Sequence, residues 1–139
     1  MSAPLTQETL QAMLDASPFI HLLAMRAVSL DVAAQQVVME MPLTPGVERR
    51  AGTGQFHGGA IAALIDTAGD FALGIALGGG VPTINLRIDY LRPATGETLR
   101  AVAVARRAGR TIGVVDVDIT DSSGRLVAIG RGCYSMALG

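Results

Sequence analysis

Two carboxylates stand out in the run Gln55-Phe56-His57-Gly58-Gly59-Ala60-Ile61-Ala62-Ala63-Leu64-Ile65-Asp66-Thr67-Ala68-Gly69-Asp70. Asp66 falls among residues that are otherwise apolar. A buried carboxylate is expensive, so this one needs a counter-charge, an opening to solvent or a chemical task. Asp70 follows four residues later, on the same face of a helix, where like charges repel. At the other end of the run, Gly58 and Gly59 occupy the expected start of that helix. The first N–H groups of a helix have no partner within it, and the helix dipole adds partial positive charge there. Glycine also lets a ligand approach the backbone closely. Such a tip can act as an oxyanion hole, or it can be an ordinary flexible helix start.

The spacing limits how these groups can cooperate. Gly58 and Asp66 are eight positions apart, roughly 12 Å along one helix at about 1.5 Å per residue. A reacting atom must lie about 3 Å from both the oxyanion donor and the base or nucleophile. One chain cannot satisfy that with these two groups. Two antiparallel helices related by a two-fold axis can, because the start of one faces the middle of the other. If both groups serve one reaction, the protein is at least a dimer with two equivalent sites.

The remaining segments have to position this helix. Residues 58–77 leave no polar face in their first half, the pattern of a helix buried all round, and Gly78-Gly79-Gly80 ends it. Its two aspartates and its isolation argue against a membrane span. An N-terminal helical segment over residues 1–23 begins with an amphipathic helix at 6–15, with Leu10, Met13 and Leu14 on one side. Ser17-Pro18 then starts a further short turn. Residues 25–43 alternate as two strands joined near residues 31–34, and 44–55 read as a loop. Strand-like runs follow at 83–90, 98–106, 111–120 and 126–136, separated by Pro93-Ala94-Thr95-Gly96, Ala108-Gly109 and Asp121-Ser122-Ser123-Gly124. The expected architecture is a single α+β domain over 1–139, an antiparallel sheet of five to six strands wrapped around one long central helix.

Composition narrows the class. Half of the 139 residues are hydrophobic and only 4% aromatic, so the core must be aliphatic. Charged residues make up 17%, against roughly 25% in soluble domains, which points to a hidden subunit interface or to an alanine-rich bias. A net charge of −1 argues against nucleic-acid and membrane-surface roles. All 11 basic residues are Arg, which suits phosphate but also follows from a biased genome. One cysteine, Cys133, allows no internal disulfide and no Cys-rich metal site, and no metal is expected. Cys133 reads as a small buried hydrophobe, His21 as a packing residue, and Met25, Met39, Met41 and Met136 as core. The first residues lack the basic start and apolar run of a secretion signal, so a cytoplasmic location is expected.

The string His57-Gly58-Gly59-Ala60, with Asp66 nine positions after the histidine, resembles the signature of hotdog-fold acyl-CoA thioesterases of the PaaI-like group, within the 4-hydroxybenzoyl-CoA thioesterase superfamily. The likeness continues in Thr83-Ile84-Asn85-Leu86-Arg87-Ile88-Asp89-Tyr90-Leu91-Arg92-Pro93-Ala94, in Gly96-Glu97, in Gly109-Arg110 and in Asp121-Ser122-Ser123-Gly124-Arg125-Leu126-Val127-Ala128. It spans about residues 25–137.

The resemblance implies hydrolysis of an acyl-CoA thioester to free acid and CoA. Coenzyme A is then part of the substrate and no cofactor is needed. It implies a homo-oligomer, a dimer at minimum, with a tetramer of two dimers favoured. Asp66 becomes the catalytic carboxylate, as general base on water or as nucleophile, and the Gly58 amide binds the thioester oxygen. His57 and Gln55 shape that pocket, and Thr83 stands near the carboxylate and its water. Arg92, Arg107 and Arg110, with Gly109 in the same turn as Arg110, are candidates for the CoA phosphates. One departure is Ala51, where many relatives carry Asn six positions before the histidine; Gln55 is a candidate substitute. The chemistry is self-consistent, since a thiol with a pKa near about 8.5 leaves with little acid help. Two rival readings stand beside it. One is a hotdog dehydratase or hydratase that pairs His57 with Asp70, and the other is a non-catalytic acyl-CoA binding module. The acyl group itself is open.

Overall fold

The computed structural model describes residues 2–138. Helix α1 (Gln7–Ala16) and the short α2 (Pro18–Leu22) precede two strands, β1 (Arg26–Asp31) and β2 (Gln36–Pro42). A single 3-10 turn (Pro45–Val47) leads toward α3 (Gly58–Leu77). Four strands follow: β3 (Thr83–Tyr90), β4 (Thr98–Ala108), β5 (Ile112–Thr120) and β6 (Leu126–Ser135).

These strands form one antiparallel sheet in the order β1-β2-β4-β5-β6-β3. The expected antiparallel sheet of five to six strands around one long helix is present, with six strands. Alternation drives it: Met39 and Met41 of β2, Leu99 and Ala101 of β4, and Val115, Val117 and Ile119 of β5 point inward and are buried. Helix α3 lies across that concave face, against β2, β4, β5 and β6. It contributes Leu64, Ile65, Leu73 and Ile75, all fully buried. The core is aliphatic, as the low aromatic content requires. Met25, Met39 and Met41 belong to it, and Met136 packs at its margin.

Local chemistry sets the element ends. Thr6 caps α1 through a reciprocal pair with Thr9. Gly78 ends α3 in the left-handed region at φ 88°, a conformation that costs glycine little. A tight contact occurs at Gly69, where an added Cβ would lie 2.2 Å from the Tyr134 hydroxyl oxygen. The absence of a side chain there lets the helix settle on the buried ring of Tyr134.

Four expectations need correction. Met13 is 38% exposed and does not join Leu10 and Leu14 in the core. His21 is exposed on α2, a five-residue surface helix, so it packs no interior. Cys133 is only half-buried, because it lies on the face of β6 opposite Tyr134, which fills the core. Helix α3 is not enclosed all round: Gly59 is exposed and Ala62, Ala63, Asp66, Thr67 and Asp70 are half-buried. One sheet covers one side of a helix, and these residues at helical spacing form the side it leaves open. By length and mean hydropathy (1.7) α3 could cross a membrane, yet it is the core helix of this sheet.

Candidate active site

The segment that delivers the start of α3 is built like a short strand. Residue His57 donates its N–H to Val47 O (2.7 Å), and Arg49 N–H donates to Gln55 O (2.8 Å). Glu48 and Phe56 are bridged between them. On the other side, Phe56 N–H reaches Ala94 O at 2.9 Å and Gln55 bridges Thr95. Residues 44–55, expected to be loop, therefore contain ordered ladder contacts. Their anchors are buried Val47 and Phe56, too short an alternation to stand out in the sequence.

At the helix tip, His57 is the N-cap. Its Nδ1 accepts the Gly59 N–H at 2.8 Å, which leaves the ring proton on Nε2. Its carbonyl accepts from Ala60 and Ile61 at 3.0 and 3.2 Å. Among the described residues the Gly58 N–H has no partner. It is the free donor of the first turn. The Tyr90 hydroxyl donates to the Gly58 carbonyl at 2.7 Å, tying the tip to the end of β3. The sequence reading missed Tyr90 as a site residue; the only signal was its place in the Tyr-Leu-Arg-Pro-Ala string.

The carboxylate lies farther along α3. Asp66 is half-buried on the open side, and its Oδ1 accepts from the Thr83 hydroxyl at 2.7 Å. The structure thus joins the two residues that the resemblance placed together. From below, the Tyr134 hydroxyl reaches the Asp66 backbone carbonyl at 3.2 Å. Burial, with the nearby carboxylates adding to it, pushes the Tyr134 phenol well above its ordinary range. Asp70 bends the other way, toward the connection into β3, where its Oδ1 accepts the Val81 N–H at 2.6 Å. Burial pushes the Asp70 carboxyl up to about 7, with the Asp66 charge adding to the shift and the Val81 bond opposing it. The repulsion read from the spacing of the two aspartates thus adds, as the smaller cause, to what burial does to Asp70.

Other expected residues separate. A groove of about 400 Å³ beside Gly58 is lined by Arg49, Gln55, Gly58, Ile61, Tyr90 and Arg92, among others. Gln55 and Arg92 thus meet Gly58 there. Arg107, Gly109 and Arg110 do not. Tyr90 pairs with Ala128, whereas Thr83 pairs with Tyr134 and Ile112 with Ser135. The β4–β5 hairpin therefore lies at the opposite end of the sheet from Arg92, about a strand length of roughly 25 Å away. One chain does not gather the four phosphate candidates, because antiparallel turns alternate between sheet ends. Ala51 is exposed and offers no polar side chain. His57 and Asp70, the pair of the dehydratase reading, are thirteen positions apart along α3, roughly 20 Å, and are engaged separately. Within one chain they do not form a pair.

A six-stranded antiparallel sheet curled around one long helix, with a free amide at the helix tip and a carboxylate midway along it, is the hotdog arrangement. A family model described as the thioesterase superfamily matches residues 53–128, more than half of the chain, and the chain belongs to that superfamily. It is 39% identical over 80 residues to the acyl-coenzyme A thioesterase PaaI of Escherichia coli, covering 55% of this chain and 54% of that protein. It is 41% identical over 93 residues to a Halobacterium salinarum protein carrying a provisional esterase name, covering 60% and 61%. The matches thus span less than two thirds of either curated relative. Among solved structures, E. coli PaaI superposes with a TM-score of 0.81 at 27% identity, covering 97% of this chain and 98% of that one. Zebrafish thioesterase superfamily member 2 superposes with a TM-score of 0.83 at 28% identity, covering 96% and 99%.

Proposed function

We propose that the protein hydrolyses acyl-CoA thioesters at sites shared between two copies of the chain. The observation that carries this reading is the free Gly58 N–H at the tip of α3, paired with Asp66, held by Thr83, on the side of α3 that the sheet leaves open. Eight positions separate them, so the partner copy has to bring its helix tip to Asp66. A two-fold axis through residue 62, the midpoint, places the small Ala62 and Ala63 where two α3 helices approach. Strand β3, the last in the sheet order, can then extend the sheet by pairing with its partner copy. Family likeness favours a tetramer made of two such dimers. A cytoplasmic location goes with this reading.

In the reaction, Asp66 takes a proton from water as the water oxygen attacks the thioester carbonyl carbon. The carbonyl electron pair moves to oxygen, where the partner copy's helix-tip amide stabilises it. Collapse of that intermediate breaks the carbon–sulfur bond, and the proton goes to the leaving CoA sulfur. Direct attack by the Asp66 carboxylate, followed by hydrolysis of the anhydride, uses the same two groups. Antiparallel β3–β3 pairing also sets the β4–β5 hairpin of one copy, with Arg107 and Arg110, at the same end as the other copy's Arg92. The phosphate candidates are thereby reunited across the dimer.

The test is a panel of benzoyl-, phenylacetyl- and hexanoyl-CoA with a thiol-reactive dye reporting released CoA. We expect turnover of at least one ester, and a loss of about 10²- to 10⁴-fold in Asp66→Asn. Equal turnover by Asp66→Asn removes the carboxylate from the mechanism. Enoyl product without free thiol favours the dehydratase reading. Binding of all three esters without reaction favours the binding module.

A further inference from the structure

We propose that Arg49 is a positioning residue, which fixes the Gln55 side-chain amide so that its NH2 group serves as a second donor to the thioester oxygen beside Gly58. The inference rests on the thioesterase reading above and deepens it. Arg49 Nη1 donates to Gln55 Oε1 at 3.1 Å. A guanidinium carries only donors, so the amide oxygen must be the atom that faces it. That choice settles which end of the amide is left over. The Gln55 NH2 group has no partner among the described residues, and Gln55, Arg49 and Gly58 line one groove.

The backbone reinforces the arrangement. Arg49 N–H also donates to Gln55 O at 2.8 Å, so the two residues are held side by side through main chain and side chain together. Gln55 is clamped from its other side by the bridge to Thr95. Its backbone is thus held, and the bond from Arg49 to Oε1 both anchors the side chain and selects one of the two orientations of its amide. Without Arg49 the amide can present its oxygen to the groove, where it would repel a developing oxyanion. Ala51 supplies no donor that could stand in. Arg49 acts through Gln55 here and is distinct from Arg92, the phosphate candidate in the same groove.

The experiment measures kcat and KM on the panel ester turned over fastest, and on the N-acetylcysteamine thioester of the same acid, which lacks phosphates. Gln55→Ala is expected to lower kcat by about 10²-fold, the scale for losing one oxyanion donor. Arg49→Met is expected to lower kcat by about tenfold on both esters with little change in KM, and Arg49→Lys to restore most of it, since a lysine can still donate to Oε1. In the Gln55→Ala background, Arg49→Met should cost no more than about twofold, because the group it orients is gone. An undiminished tenfold loss in that background overturns the proposal, as does a KM increase confined to the CoA ester, which would make Arg49 a phosphate ligand. If Asp66→Asn abolishes turnover while Arg49→Met leaves kcat intact, this inference fails alone; if Asp66→Asn is as active as the unaltered protein, the catalytic reading fails first.

Discussion

Thr83 and Asp66 come from different elements, and a 2.7 Å hydrogen bond joins them on the side of α3 that the sheet leaves open. A hydrogen bond of this kind contributes about 0.5–1.5 kcal/mol, enough to hold one carboxylate oxygen and leave the other free for water. Thr83→Val keeps the volume and the β-branched shape but removes the donor. We expect it to lower kcat on an acyl-CoA ester by about tenfold with KM nearly unchanged, while Thr83→Ser retains most of the activity. Steady-state kinetics of the two variants check this, and an unimpaired Thr83→Val would mean that the hydroxyl does not orient the base. The spacing of Gly58 and Asp66, together with the His-Gly-Gly-Ala string, picked out the free amide and the carboxylate. The resemblance added Thr83. Tyr90 stayed hidden because its hydroxyl reaches Gly58 O across 32 positions of chain, and no local pattern encodes such a contact.

The central helix depends on what lies beneath and behind it. Beneath, Tyr134 is wedged under Gly69, and a methyl at that position would sit 2.2 Å from the phenol oxygen. Overpacking of this kind costs about 1–3 kcal/mol, so Gly69→Ala should lower Tm measurably. In a Tyr134→Phe background, where the nearest clashing atom is gone and the ring carbon at 2.9 Å remains, the same change should cost less, a non-additivity that a four-member thermal-unfolding cycle reads. Behind, the Asp70 carboxyl holds the Val81 amide and is pushed up to about 7 by burial. In the unfolded chain that carboxyl titrates near about 4. Between those values the folded state binds more protons, so stability falls as pH rises from about 4 to about 7 and is level beyond. Asp70→Asn keeps an acceptor for Val81 and cannot ionise, so its Tm advantage should be small at pH 4 and grow to a plateau above pH 7. A constant difference would mean that Asp70 titrates normally. The helix itself was plain from its apolar run, and the strands from their alternation. The exposure of one side of α3 was not, because Gly59, Ala62 and Ala63 are small and apolar whichever way they face. Nor was the partial cover over the Asp70 carboxyl, which comes from the chain at Gly80 and Val81 folding back against it.

The separation that no single chain can bridge becomes, for the whole molecule, a statement about assembly. If each site takes Asp66 from one copy and Gly58 from the other, then damage to the two groups can be sorted by subunit mixing. Asp66→Asn removes the carboxylate. Gly58→Pro removes the amide proton and sets the proline ring where that N–H pointed, with the added Cβ 3.4 Å from the Tyr90 ring; proline is well tolerated at the first helical position, and His57 already has the extended backbone (φ −65°, ψ 138°) that a following proline requires. Each variant alone should be inactive on acyl-CoA esters, since each homodimer lacks one group at both sites. In a mixed dimer, one of the two sites draws its Asp66 from the Gly58→Pro copy and its Gly58 from the Asp66→Asn copy, and is whole. Random reassortment makes about half of the dimers mixed, each with one good site of two, so refolded mixtures should regain about a quarter of the unaltered activity. Recovery should rise and fall with the mixed species counted by native mass spectrometry. If mixed dimers form and no activity returns, Asp66 and Gly58 do not meet across the interface, and the free amide at the tip of α3 serves some purpose other than the one that Asp66 serves.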